Sequence, residues 1–159
     1  MFAYFAGGCF WCITPCFKET KGVIDVISGY CGGEEKNPTY KEVKSQQTGH
    51  RETIRVEYDE NLVSFKELLE VFLNNVDPYD GGGQFIDRGF SYTLAVYYAN
   101  EEQKTVTEER LKEYKEQVFV SVEKLKEFYM AEEYHQDYYL KNPKEFEEEL
   151  ISSGRKKAK

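Results

Sequence analysis

A glycine pair followed by two cysteines, at positions 7–12 (GGCFWC), is the feature that most constrains the local fold. It follows an apolar run at 1–6 and precedes a segment that is typical of a helix start. Glycine adopts positive φ without steric cost, so the pair predicts a sharp turn from strand to helix. Cys9 would then lie at a helix N-terminus, where unpaired N–H groups and the helix dipole favour an anion. Such a position is expected to lower the pKa of the thiol and to increase the fraction of reactive thiolate.

The residues around Cys9 indicate what that thiolate would act on. Cys12 is three residues away, so on one helical turn both sulfurs face the same side. Phe10 and Trp11 lie between them and offer apolar walls beside the nucleophile. A thiolate, a second thiol within reach and an aromatic slot together predict redox chemistry on a small apolar group.

Length and charge limit the other functions that the chain can have. We expect one domain at 1–153 and a basic, disordered tail at 154–159. The net charge of −8, from 21 basic and 29 acidic residues, argues against nucleic acid and anionic membranes as partners. An apolar run long enough to span a membrane is not found, and the N-terminus does not read as a signal peptide. We therefore expect a cytoplasmic monomer.

Periodicity and capping residues predict the fold class. Pro15 leaves two alternatives for the first helix: a kink at Pro15, or a start at Thr14 with Pro15 in the first helical position. The predicted strands are 2–6, 23–30, 51–58, 92–98 and 118–122. The predicted helices start at Thr39, Ser64, Asn100 (to about 117) and Asn142, with another at 131–140. The order βαββαβ in the first hundred residues indicates an α+β, two-layer sandwich built on a ferredoxin-like plait, with extra C-terminal helices.

The third predicted strand brings a carboxyl group to the apolar face of the sheet. Its apolar positions are Ile54, Val56 and Tyr58, and Glu52 has the same parity. A carboxyl at the mouth of a buried face loses solvent, which raises its pKa towards the range useful for a general acid. The alternative is that Glu52, at the strand end, turns to solvent.

Several motifs occur in one order over nearly the whole chain. They are GGCFW at 7–11, Ser28-Gly29-Tyr30, Asn37-Pro38-Thr39-Tyr40, Gly49-His50 with Glu52, Asp77-Pro78, Gly83-Gln84-Phe85, Asp87 to Tyr92, and Tyr134-His135-Gln136 through Lys141-Asn142-Pro143. This ordered set resembles the type A peptide methionine sulfoxide reductases. The resemblance implies a two-layer α+β fold around a plait, and reduction of the S epimer of methionine sulfoxide, peptide-bound or free.

The same resemblance implies a role for each matching residue. Cys9 matches the nucleophile that becomes a sulfenic acid, and Glu52 matches the acid that protonates the sulfoxide oxygen. Phe10 and Trp11 match the pocket for the substrate methyl group. The other matching residues bind the oxygen or organise the site, and they are Tyr40, Tyr92 and Asp87.

Recycling of the sulfenic acid is where the chain differs from many family members. Many carry Gly-Val-Glu after Cys-Phe-Trp and recycling cysteines in a C-terminal tail, whereas here Cys12-Ile13-Thr14 follows and no cysteine comes after Cys31. We rank Cys12 first as the resolving cysteine because it is one helical turn from Cys9. Cys31, in the glycine-rich loop after the second strand, ranks second. Cys16 and an external thiol are the remaining alternatives, although Cys16 is best interpreted as a buried apolar residue. The family resemblance implies no cofactor and no metal, with thioredoxin or another dithiol as external reductant.

Two other classes of protein share part of the pattern. Cys-x-x-Cys after a strand is also typical of thioredoxin-like oxidoreductases, although the aromatic pair inside it and the downstream elements do not match. A structural zinc site would use all four cysteines, but their spacing lacks a second close pair. His50 and His135 are interpreted as structural hydrogen-bonding groups. The tyrosine-rich run 134–139 is interpreted as a packing surface, with a peptide groove as the alternative.

Overall fold

The computed structural model describes residues 1–152, so the tail predicted at 154–159 lies outside the described residues. The strands are β1 (Phe2–Gly7), β2 (Val23–Cys31), β3 (Arg51–Tyr58), β4 (Gly83–Gln84), β5 (Asp87–Arg88), β6 (Leu94–Tyr98), β7 (Val120–Lys124) and β8 (Tyr129–Met130). The helices are α1 (Phe10–Lys18), α2 (Tyr40–Lys44), α3 (Phe65–Asn74), α4 (Glu101–Leu111), α5 (Tyr138–Lys141) and α6 (Pro143–Ser152). Within this part of the chain, every helix is too short or too polar to cross a membrane.

The six-stranded sheet has the order β7-β6-β1-β3-β2-β8, and a separate hairpin pairs β4 with β5. All neighbours in the sheet are antiparallel except β6 and β7, which are parallel. The four central strands, β6-β1-β3-β2, have the antiparallel order of a βαββαβ plait. The predicted α+β class is therefore confirmed, and β7 and β8 extend the sheet at its two edges.

The main core lies on the face of the sheet that α1 and α3 cover. Phe5 is at its centre, fully buried, with its ring 5.3 Å from that of Phe17 and 5.1 Å from that of Phe72. The alternation of β1 sends Ala6 to the opposite face, where it packs in a smaller cluster with Cys31 and Tyr97. The sheet thus has two buried faces, and the two cores do not share side chains.

α1 is one helix that contains Pro15, so the interpretation that Thr14 caps a later helix is wrong. Proline has no N–H to donate into the helix, which leaves a carbonyl of the preceding turn without its usual partner. The Thr14 hydroxyl donates to the carbonyl of Phe10 at 2.6 Å. The helix begins directly after Cys9, as the glycine pair predicts.

Four predicted boundaries are wrong. The strand predicted at 118–122 lies two residues later, at Val120–Lys124, and the other three differences have a local reason. After Leu111 the N–H groups of Glu113 and Tyr114 donate to carbonyls three residues back instead of four, so α4 ends at Leu111. Tyr92 ends a 3₁₀ turn at 90–92, in which its N–H donates to the Gly89 carbonyl, and β6 starts two residues later. The helix predicted at 131–140 is a 3₁₀ turn followed by the short α5, because Asp137 between them is left-handed, with φ of +53°.

We predict that Phe5→Ala destabilises the fold far more than Phe2→Ala on the same strand. Phe5 is fully buried among three aromatic rings, and removing such a ring costs about 3–5 kcal/mol of unfolding free energy. Phe2 is 40% exposed and contacts the Arg55 guanidinium, so its loss should cost less than about 1.5 kcal/mol. Urea unfolding of both variants measures the difference, and equal losses would contradict this assignment of the core.

Candidate active site

The strand-to-helix turn at Gly8 positions the first thiol. Gly8 has φ of +87°, a conformation that residues with a Cβ rarely adopt. A Cβ at Gly7 would lie 3.0 Å from Cδ1 of Ile13, so the strand end approaches the helix closely. Cys9 is the N-cap residue of α1, and Cys12 donates its backbone N–H to the Cys9 carbonyl at 3.1 Å.

The thiol of Cys9 is buried, and its pKa differs from the sequence-based expectation. A hydrogen bond to the Cys12 thiol raises the pKa of Cys9 well above its usual value, and burial and the carboxyl groups of Glu52 and Asp87 raise it further. The expectation that the helix N-terminus lowers this pKa is therefore wrong for the resting site. The contact with the Cys12 thiol and the burial of the site both favour the neutral thiol over an anion.

Glu52 lies on the buried face of β3, as its parity with Ile54 predicts, and it is 1% exposed. Its Oε1 accepts the backbone N–H of Phe10 at 3.1 Å, while Oε2 is buried without a hydrogen-bond partner of good geometry in residues 1–152. Burial raises the pKa of Glu52 to about 8, against the Phe10 N–H and a nearby Tyr92 hydroxyl, which lower it. At neutral pH this carboxyl group is therefore protonated.

Four of the residues that the sequence selects converge on Tyr92. Burial raises the pKa of the Tyr92 hydroxyl. The electrostatic effects of its neighbours raise this pKa further, and in order of size these neighbours are Glu52, Tyr40, Cys9 and Asp87. These groups arrive from β3, the first residue of α2, the start of α1, and β5 of the small hairpin. The fold thus brings together hydroxyl, carboxyl and thiol groups that are up to 83 positions apart in the sequence (Cys9 to Tyr92).

Aromatic rings form a wall next to this cluster. The ring of Trp11 stacks on that of Tyr138 with centroids 4.1 Å apart, and lies 6.2 Å from that of Tyr40. The indole Nε1–H of Trp11 donates to Nδ1 of His135 at 3.1 Å. His135 also lies 5.3 Å from the ring of Phe10, so the wall combines residues from three separate segments.

The C-terminal helices cover the cysteine pair. Phe146 of α6 packs against Cys9 and Cys12, which are 6% and 5% exposed. Cys12 also lines a cavity of about 340 Å³ between α1 and α6, whose walls include Cys16 and Phe146. Of the two thiols, Cys12 is the one that borders this cavity.

The other two cysteines lie apart from the pair. Cys31 is the last residue of β2, so the prediction that it lies in a loop is wrong. Its side chain is fully buried on the face of the sheet opposite α1. Burial raises the pKa of Cys31 to about 12. Cys16 is half-buried, and its thiol donates to Oδ1 of Asn75 at 3.1 Å. Among the described residues the thiols do not gather into a metal-binding cluster.

Sequence reasoning missed the partners that complete the site. His135 was expected to be a hydrogen-bonding group, but its contact with Trp11 spans 124 positions and has no local signal. Tyr138 belongs to the aromatic run 134–139, which was the available hint of a wall at the site. The role of Phe146 as a cover depends on how α6 folds back, which periodicity does not specify.

Comparison of the sequence with known proteins identifies relatives of this chain. The family model described as peptide methionine sulfoxide reductase matches residues 1–159. A relative with the same description, MsrA of Bacillus subtilis (strain 168), is 45% identical over 159 residues, covering 96% of this chain and 90% of the relative.

Solved structures give the same result. Methionine sulfoxide reductase A of Corynebacterium diphtheriae has a TM-score of 0.86 at 33% identity, over 89% of this chain and 74% of that one. Reduced Mxr1 of Saccharomyces cerevisiae has a TM-score of 0.83 at 28% identity, over 91% of this chain and 86% of that one. Mxr1 in complex with Trx2 has a TM-score of 0.54 at 17% identity, over 87% of this chain and 84% of that one. A likeness at this identity shows the fold alone. The chain therefore belongs to the peptide methionine sulfoxide reductase family of oxidoreductases.

Proposed function

We propose that this chain reduces the S epimer of methionine sulfoxide, peptide-bound or free, with Cys9 as nucleophile and Glu52 as general acid. The observation that carries this proposal is the buried carboxyl of Glu52, which accepts the Phe10 N–H beside the Cys9 turn; its burial raises the pKa to about 8. A sulfoxide oxygen leaves sulfur only when it is protonated, and a proton donor with a pKa near the working pH suits that step.

The first step transfers oxygen from the substrate to Cys9. The proton of Glu52 goes to the sulfoxide oxygen, the sulfoxide S–O bond breaks and an S–O bond forms on Cys9. The substrate sulfur is reduced by two electrons to the thioether, and the thiol is oxidised to a sulfenic acid. Glu52 gives its proton to the sulfoxide oxygen and takes up the thiol proton of Cys9. Both groups have a raised pKa, so each holds the proton that it transfers in this step.

The neighbouring groups bind the two ends of the sulfoxide. The hydroxyls of Tyr40 and Tyr92 are proposed to donate to the oxygen, and Asp87 is proposed to organise them. Phe10 and Trp11 are proposed to contact the substrate methyl group. An aromatic wall on one side and hydrogen-bond donors on the other distinguish the methyl group from the oxygen of a chiral sulfur, which supports selection of one epimer.

Cys12 is proposed to resolve the sulfenic acid. Its thiol lies in the same cluster as that of Cys9, under Phe146, and its attack on the Cys9 sulfur would release water and form a Cys9–Cys12 disulfide. The burial of Cys31 in the cluster on the other face of the sheet favours Cys12 over Cys31 in this role. The cavity next to Cys12 gives an external thiolate a route to the disulfide.

Thioredoxin, or another dithiol, is proposed to reduce that disulfide and to become a disulfide itself, so that no bound cofactor is needed. The complex of yeast Mxr1 with Trx2 is consistent with such a reductant. A reductant of this kind works in a reducing compartment, which supports the cytoplasm as location. The chain is proposed to act as a monomer.

Cys9→Ser should abolish turnover, and Glu52→Gln should slow sulfenic acid formation by about two to four orders of magnitude, the scale of a general acid. Glu57→Gln on the same strand is the matched control and should keep the wild-type rate. A single-turnover assay on each epimer, with methionine as the product measured, gives these rates. If Glu52→Gln reacts at the wild-type rate, the proton comes from another group.

Glu52→Gln should also stabilise the fold, and more so as the pH rises. The folded protein holds the Glu52 proton up to a pKa of about 8, whereas an unfolded Glu loses it near pH 4.3. The wild-type free energy of unfolding should therefore fall between those pH values, and Gln removes this loss. Relative to the wild type, the variant should gain on the order of 3–5 kcal/mol between pH 5 and pH 8. A difference that does not change with pH in urea unfolding would contradict the assigned proton.

Cys12→Ser should leave the first turnover intact and block recycling by thioredoxin. One equivalent of methionine should form, and the sulfenic acid should stay trappable by dimedone. Cys16→Ser, one turn further along α1, is the matched control and should recycle normally. Peptide mapping of the oxidised wild type should find a Cys9–Cys12 bridge, and a bridge from Cys9 to Cys16 or Cys31 would show that another cysteine resolves the intermediate.

A further inference from the structure

Trp11 has one polar atom, and the structure gives that atom a specific partner. Its indole Nε1–H donates to Nδ1 of His135 at 3.1 Å. Trp11 is half-buried in the wall proposed to contact the substrate methyl group, whereas His135 is 1% exposed. The acceptor therefore lies deeper in the fold than the ring that it holds.

Stacking alone does not determine how the indole lies in its plane. The Trp11 ring is nearly parallel to Tyr138, at 16°, and is inclined by 28° to Tyr40. A flat ring between such neighbours retains most of its contact when it flips over. A hydrogen bond at the ring edge is directional, so it selects one of the two orientations. Here the Nδ1 atom of His135 makes that selection.

His135 is itself held on the sheet by the residues around it. The side chain of Gln136 accepts the N–H of Ser28 and donates to its carbonyl, both at 2.9 Å. Glu132 accepts the Tyr30 hydroxyl at 2.8 Å and the N–H of Tyr40 at 3.1 Å. The turn that carries the imidazole is thus fixed from both sides.

The protonation of His135 follows from this contact. Because Nδ1 accepts, the ring proton is on Nε2, which is buried and finds no acceptor within residues 1–152. Burial also lowers the pKa of His135, which keeps the ring neutral and Nδ1 free to accept. A buried N–H without an acceptor is destabilising, so an apolar ring at this position would serve packing better.

We propose that His135 is a positioning residue that fixes the orientation of Trp11 and thereby sets the width of the methyl slot. This inference rests on the proposed function of the site. With the acceptor removed, the indole samples both orientations, and the slot should bind a methyl group less well and exclude a larger alkyl group less strictly.

Three substitutions separate the acceptor from the ring. His135→Phe keeps an aromatic ring without an acceptor. His135→Asn places Oδ1 where Nδ1 lies and should restore the hydrogen bond. His135→Gln, whose polar atoms reach the Nε2 position, is the matched control that should not restore it. Thermal unfolding of each variant identifies any that fail to fold, and the comparison of Asn with Gln stays informative if Phe is unstable.

The first measurement reports the contact without using activity. Trp11 is the only tryptophan in the sequence, so one indole N–H resonance is expected in a ¹H–¹⁵N spectrum. That resonance should move upfield and exchange faster with solvent in His135→Phe and His135→Gln, and return in His135→Asn. If the resonance is unchanged in His135→Phe and in His135→Gln, His135 does not hold the indole.

The second measurement compares reduction of methyl and ethyl sulfoxides of the same amino acid. In His135→Phe and His135→Gln, KM for the methyl substrate should rise about three- to tenfold with kcat within twofold, because a binding contact is lost. The preference for methyl over ethyl in kcat/KM should fall at least threefold, and His135→Asn should recover both values. Wild-type KM and selectivity in His135→Phe and His135→Gln would overturn the inference. A wild-type protein that reduces neither substrate would instead overturn the proposed function.

Discussion

One hydrogen bond, from the Phe10 N–H to the carboxyl of Glu52, joins the helix start to the sheet and determines the chemistry of the site. The first N–H groups of a helix have no partner inside it, and here a buried carboxyl accepts one of them. The same carboxyl keeps its proton because burial outweighs that N–H. A neutral acid and a neutral thiol can share the dry site, whereas two anions there would repel each other.

The strand order explains why these groups meet. β3 lies between β1 and β2, so its first residues run beside the end of β1, where Gly7 leads into α1. Glu52 pairs with Tyr30 of β2 and faces the layer that contains α1. A plait of this order places the start of its third strand beside the turn after its first, and Glu52 and Cys9 lie at that meeting point.

The sequence predicts much of this arrangement because the informative signals are local. Parity placed Glu52 on the buried face, the glycine pair placed Cys9 at the helix start, and capping boxes at Thr39 and Ser64 predicted two helices that are present. The pKa of Cys9 was wrongly predicted because the contact with the Cys12 thiol and the burial of the site raise it, and that burial is set by the tertiary fold. The prediction of a helix at 131–140 failed for a similar reason, since side chains of that segment bond to the distant strand β2.

The sheet also separates the thiols of the chain into two environments. Cys9 and Cys12 lie on one side, under α6, while Cys31 is sealed on the other side between Ala95 and Tyr97. Oxidised Cys9 or Cys12 thus has no short path to a mispaired bridge with Cys31. The rate at which an alkylating reagent modifies Cys31 therefore reports how often the cluster behind the sheet opens, whatever the oxidation state of Cys9 and Cys12.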